Sequence, residues 1–218
     1  MRATLMAILL AVPAQDEKKD LQANLCVRGK LLFSDDFAAA PLSKEWKVAK
    51  GKWEAVDGAM KGAELAADMH PAVVKHPIAF KDVVLQFSFK LEGAKRATCS
   101  FDGKGHVCRV VLSPAGFTLQ KDGTKDGAEK SAQLGKGAVD LKPGEWHRML
   151  VEIRGKEMLA QVDDKVFAFG EHAGIETDKA SFGFPVSGET FLVDDVKVWE
   201  AQPNPDWAAA KEKLATQR

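Results

Sequence analysis

Apolar and polar residues alternate with a period of two along most of the chain. In Val83-Val84-Leu85-Gln86-Phe87-Ser88-Phe89-Lys90, one face collects Val83, Leu85, Phe87 and Phe89, and the other collects Gln86, Ser88 and Lys90. Successive side chains of a strand point to opposite sides, so the segment predicts a strand with one buried and one wet face. His147, Met149, Val151 and Ile153 repeat the pattern against Arg148, Leu150, Glu152 and Arg154. Residues 158–162 and 166–169 flank Asp163-Asp164-Lys165, which reads as a hairpin link. Asp57-Gly58, enclosed by Trp53-Glu54-Ala55-Val56 and Ala59-Met60-Lys61, is the strongest short hairpin signal in the sequence.

Strand patterns and turn signals follow one another, and no amphipathic helix interrupts them until the end. That rhythm predicts an all-β sandwich or barrel rather than alternating β and α. Near the C-terminus, Asn204 is a helix N-cap, Pro205 suits the first helical position and Asp206 lies beside the positive end of the dipole. Trp207, Ala210 and Leu214 then line one face, so a short helix docking by Trp207 is expected. Residues 121–137 hold Asp122-Gly123 and Asp126-Gly127 among Lys125, Lys130 and Lys136, and read as a solvated loop, with a ligand-facing loop as the alternative.

The length of 218 residues fits one sandwich domain. Lys plus Arg and Asp plus Glu number 31 each, a net charge of zero, so the cation surplus that nucleic-acid binding needs is absent overall and no nucleic-acid partner is expected. Tyrosine is absent, so any aromatic platform must come from Trp or Phe.

Met1-Arg2-Ala3-Thr4, an apolar run from Leu5 to Pro13 and then Ala14-Gln15 form the pattern of a secretory signal cleaved after Ala14, the alternative being a helix that packs on the domain. Export implies an extracytoplasmic protein, periplasmic or secreted. No later segment approaches the roughly 20 apolar residues of a membrane span. The chain thus divides into a signal (1–14), a polar lead-in (15–30), the sandwich (31–201) and the C-terminal helix (202–218). Oligomeric state is left open.

The cysteines are Cys26, Cys99 and Cys108. A hairpin centred between Gly103 and Lys104 would set Cys99 directly opposite Cys108 at a spacing that permits a disulfide; two buried thiols on one apolar face are the alternative.

Two regions resemble a known family. Leu32-Phe33-Ser34-Asp35-Asp36-Phe37, Trp46 and 53–60, with Gly144-Glu145-Trp146-His147 and Phe191-Leu192-Val193-Asp194-Asp195-Val196-Lys197-Val198-Trp199, are similar to concanavalin A-like lectin/glucanase domains over roughly residues 31 to 200. That group includes the bacterial 3-keto-disaccharide hydrolase domains and, more distantly, laminarinase-like family 16 glycoside hydrolases. The resemblance implies a two-sheet antiparallel jelly roll that binds or processes glycans, small saccharides or keto-sugar glycosides. A non-catalytic structural or protein-interaction sandwich is the alternative.

The laminarinase Glu-x-Asp-x-Glu strand, which aims carboxylates into one cleft, has no counterpart here. In several enzymes of this fold calcium joins the first and last strands. By that resemblance Asp194 is a calcium ligand, with Asp36 as a second oxygen donor, the alternative being that both acids bond turn amides. Arg109 and His106, on the cysteine-flanked hairpin, are the candidate ligand-binding residues. No catalytic residue is identifiable from the sequence.

Overall fold

The computed structural model describes residues 20–216. The expected signal segment lies outside them.

Two strands organise the molecule because they are long enough to serve in two layers: β6 (Val83–Asp102) and β13 (Lys179–Pro203). Each turns a corner near a glycine with left-handed φ, Gly93 at 89° and Gly188 at 98°, and the register between them slips from Ser187 to Thr190. Only glycine adopts such a backbone without cost, and the slip bends both strands together.

The first halves of β6 and last part of β13 form the centre of one layer. It continues through β10 (Trp146–Arg154), β11 (Glu157–Val162) and β12 (Val166–Glu171) on one side, and through β4 (Ala59–Ala63) and β3 (Lys52–Val56) on the other. β1 (Cys26–Asp35) pairs with the end of β13. The remaining halves of β6 and β13 centre the second layer, flanked by β7 (His106–Ser113), β8 (Gly116–Lys121) and β9 (Ala132–Ala138) on one side and by β5 (Ala72–Phe80) and β2 (Lys47–Lys50) on the other. Every strand pairing is antiparallel.

The inward faces are those the alternation predicts. Leu85, Phe87, Phe89, Met149, Val151 and Ile153 are fully buried in one core with Phe101, Phe182 and Phe184. Phe87 meets Phe184 across the layers at 5.1 Å, edge to face, a geometry that suits the ring quadrupoles. The two hairpins predicted at Asp57-Gly58 and Asp163-Asp164 form, with positive φ at all four residues.

The opposite face of the first sheet departs from expectation. Val84, Gln86, Ser88, Leu150 and Glu152 are buried instead of wet. The cause is residues 20–26, expected as part of a polar lead-in, which run across that face as a strap. Leu21, Leu25 and Cys26 join Val84, Leu150, Leu159, Trp199 and Leu214 in a second core. Sheet side chains supply the strap's hydrogen bonds: Gln86 Oε1 accepts from Leu21 N at 2.8 Å, Gln161 Nε2 donates to Gln22 O at 2.6 Å, and the Glu152 carboxylate accepts from Asn24 N at 3.0 Å and Cys26 N at 2.7 Å. Beside the strap packs α1 (Trp207–Ala215), with Leu214 buried and Trp207 Nε1 donating to the Glu157 carboxylate at 3.1 Å. The helix starts two residues later than the expected cap predicts, because Asn204 Oδ1 closes a turn on Asp206 N at 3.0 Å.

Two further expectations are corrected. The β6–β7 hairpin is not centred between Gly103 and Lys104: a register shift after Phe101 sets Cys108 opposite Phe101 and Cys99 opposite Val110. Cys99 and Cys108 are then diagonal neighbours, about 7–8 Å apart in such ladders and beyond ordinary disulfide reach, and both are buried free thiols, as is Cys26. Residues 121–137 are not one solvated loop, since 132–138 form β9 and only 122–131 loop out.

Candidate functional site

On the outer side of the second sheet, the residues opposite Ala97, Cys99 and Phe101 are Thr98, Ser100 and Asp102. They point away from the core yet are nearly inaccessible, with Asp102 5 % exposed. Small side chains in the middle strands and long ones at the flanks produce this. Ser100 stands in register with Gly183 of β13 on one side and Arg109 of β7 on the other; Gly183 faces Lys75 of β5, and Arg109 faces Gln120 of β8. The floor is therefore hydroxyl and glycine, and the walls are Arg109, Gln120 and Lys75.

The charged groups on this face are held in pairs. Arg109 grips Asp122 with two bonds, Nε to Oδ2 at 2.9 Å and Nη2 to Oδ1 at 2.6 Å. Asp102 bridges Lys75 Nζ at 2.8 Å and His106 Nδ1 at 2.6 Å. Bidentate and charge-assisted bonds of this kind fix donor directions. The candidates Arg109 and His106 thus share one face and belong to adjacent ion clusters. Lys75, Asp102 and Asp122 were missed in the sequence, although Asp102 lies in phase with Thr98 and Ser100 and out of phase with the apolar Phe101.

At the end of the same sheet a hollow of about 400 Å³ opens between the β6–β7 turn and residues 122–131, lined by His106, Lys121, Asp122 and Glu129 among others. A larger hollow of about 940 Å³ lies at the open edge between β2 and β3 over Trp46 and Trp53. Those indoles are buried and their N–H groups are committed, Trp46 to Asp35 Oδ2 at 2.8 Å and Trp53 to Lys50 O at 3.1 Å, so they build the wall of the sandwich.

Among the described residues Trp146 is the one aromatic side chain more than a third exposed, at 44 %, with Lys90 Nζ 5.3 Å from its ring. It stands on the first sheet, away from Arg109. The neighbouring His147 turns inward, where Nδ1 meets Asp163 Oδ2 at 2.8 Å and the ring lies 5.6 Å from Phe89. His76 is a core residue 3.8 Å from the Phe33 ring, and burial pushes its pKa down, so the neutral form fills the core.

The calcium expectation does not fit. Asp194 Oδ1 accepts from Asp195 N at 2.6 Å and Asp36 Oδ1 accepts from Ala38 N at 3.1 Å, which are the turn-amide roles. Calcium takes six to eight oxygens, and among the described residues no three His, Cys, Asp or Glu side chains gather as a metal site.

No protein-family model and no curated protein matches the sequence. Solved structures do match. A protein of unknown function with a galectin-like fold from Bacillus subtilis is 14% identical, with 82% of this chain and 100% of that one covered at a TM-score of 0.65. The carbohydrate binding module CBM66 from Bacillus subtilis is 12% identical over 72% of this chain and 96% of its own, at 0.59. The laminarinase from Rhodothermus marinus is 11% identical over 79% and 97%, at 0.58. At such identities the likeness is one of fold. The chain has an all-β antiparallel sandwich fold similar to the jelly rolls of these carbohydrate-binding and laminarinase structures.

Proposed function

We propose that this chain is a saccharide-binding module acting outside the cytoplasm, and that the outer face of the second sheet is its binding surface. The carrying observation is the trough whose floor is Thr98 and Ser100 and whose walls are Arg109, Gln120 and Lys75. Sugars offer neighbouring hydroxyls that donate and accept at once, and this face offers the half-buried side chains of Arg109, Lys75 and Gln120 at strand spacing above a sealed hydroxyl floor. The apolar side of a sugar ring can rest on Val111, beside Thr98, and on Val73 and Pro185, which face each other across β5 and β13. Similarity in fold to a carbohydrate-binding module supports the reading, and the secretory pattern at the N-terminus supports the location.

Binding without hydrolysis fits the carboxylates. Retaining glycosidases need two carboxyl groups about 5–5.5 Å apart, one of them a free nucleophile. Here Asp102 and Asp122 are each clamped by cations. The test is a glycan array followed by titration calorimetry, with 3-keto-glucosides included to detect turnover. Arg109→Ala should weaken binding at least tenfold while leaving the fold intact. Absence of binding to every glycan offered, or an Arg109→Ala variant that binds as the parent does, would remove the proposal.

A further inference from the structure

Lys121 ends β8, and the alternation that buries Phe117 and Leu119 turns its side chain inward, where it is 4% exposed. An ammonium so far from water needs a counter-charge. Glu129 supplies it in a short ion pair, yet Glu129 is 56% exposed and reaches in from the loop of residues 122–131. Lys121 beside it draws the Glu129 carboxyl below its usual range. Both groups line the hollow of about 400 Å³. Gly174 lets the opposite wall come close, since a Cβ there would lie 2.8 Å from Lys121 Cε.

The two halves of this pair are not equivalent. The cation is fixed, rooted in a strand and sunk in the end of the sandwich. The anion sits on an exposed loop side chain that water can solvate as soon as it swings away. A ligand carboxylate can therefore replace Glu129 on Lys121 with the charge balance of the hollow unchanged. Lys104 and Asp178 also line the hollow and offset one another in charge, so Lys121 and Glu129 set its balance. His106 and Asp122 edge both this hollow and the polar face, so a saccharide lying along that face ends over Lys121.

Resting on the saccharide reading of the adjoining face, we infer that the hollow takes a carboxylate-bearing sugar unit, a hexuronic acid residue at the end of a saccharide, with Lys121 as its counter-ion in place of Glu129. Calorimetry on the full chain compares a hexuronate oligomer with the same oligomer carboxyl-reduced to hydroxymethyl groups. The acidic form should bind at least tenfold tighter, and Lys121→Met should bring the ratio of the two affinities to near one. Glu129→Gln, a change at an exposed side chain, should raise affinity for the acidic form severalfold by removing the internal competitor. Equal affinity for the two oligomers, a ratio of the two affinities that Lys121→Met leaves unaltered, or a preference that Glu129→Gln leaves unaltered, overturns the inference and spares the saccharide reading. If neither oligomer nor any array glycan binds, the reading falls and the inference with it.

Discussion

Glu152 shows what one side chain can reveal. It occupies a position that strand periodicity assigns to solvent, but the strap of residues 20–26 seals it and burial raises its pKa from an ordinary 4.5 to about 7. Backbone N–H groups of Asn24 and Cys26 and the charge of Arg28 pull the other way without cancelling that effect. Below pH 4.5 the group is protonated both folded and unfolded. Between 4.5 and about 7 the unfolded chain releases a proton that the folded one keeps, so stability from this group is lost as pH rises through that window. The displacement corresponds to about 3 kcal/mol. Thermal melts at pH 5 and pH 8 should show a fall for the parent that is markedly smaller in Glu152→Gln; parallel curves would refute the assignment. The alternation around Glu152 was legible in the sequence. Its burial was not, because the covering segment is remote in sequence and binds through side chains that carry no periodic signal. Arg109 and His106 were legible as polar residues on a hairpin, whereas Asp122, which holds Arg109, follows the end of β8, and Lys75, which shares Asp102 with His106, lies on β5, and only the fold brings them alongside.

At the scale of elements, the strands and both short hairpins, with links of two residues at Asp57-Gly58 and three at Asp163-Asp164-Lys165, were predicted because period two and Asp-rich turns are local signals. The β6–β7 turn was misjudged by one bulge, enough to slide Cys99 away from Cys108. Loop length decides register, and Gly103-Lys104-Gly105 permits more than one. The strap is the element that the pattern concealed most fully. Leu21 precedes every strand, yet it is fully buried against the second core. Leu21→Ala should therefore destabilise the protein by about 2–5 kcal/mol in urea unfolding, the range for a truncated core leucine. A loss below about 0.5 kcal/mol would mean that the segment only rests on the sheet.

For the whole molecule, the strap and the C-terminal helix cover the first sheet, while the second sheet keeps its outer face open apart from its own ion pairs. The exposed indole of Trp146 and the polar trough consequently belong to opposite sides, so the saccharide binding proposed for the trough would rest on hydrogen bonds and small apolar contacts. The long strands β6 and β13 have a further consequence. A sandwich whose layers are joined only by loops can lose one layer first. Here the same two peptide backbones run through the middle of both, so pulling either layer apart tears the central ladder of the other. Native-state hydrogen exchange should report one common opening energy for the amides of Leu85 and of Phe101, at the two ends of β6, with separate values counting against it. Such a body behaves mechanically as a folded ribbon with a double spine, and load applied to one layer is carried straight through to the other.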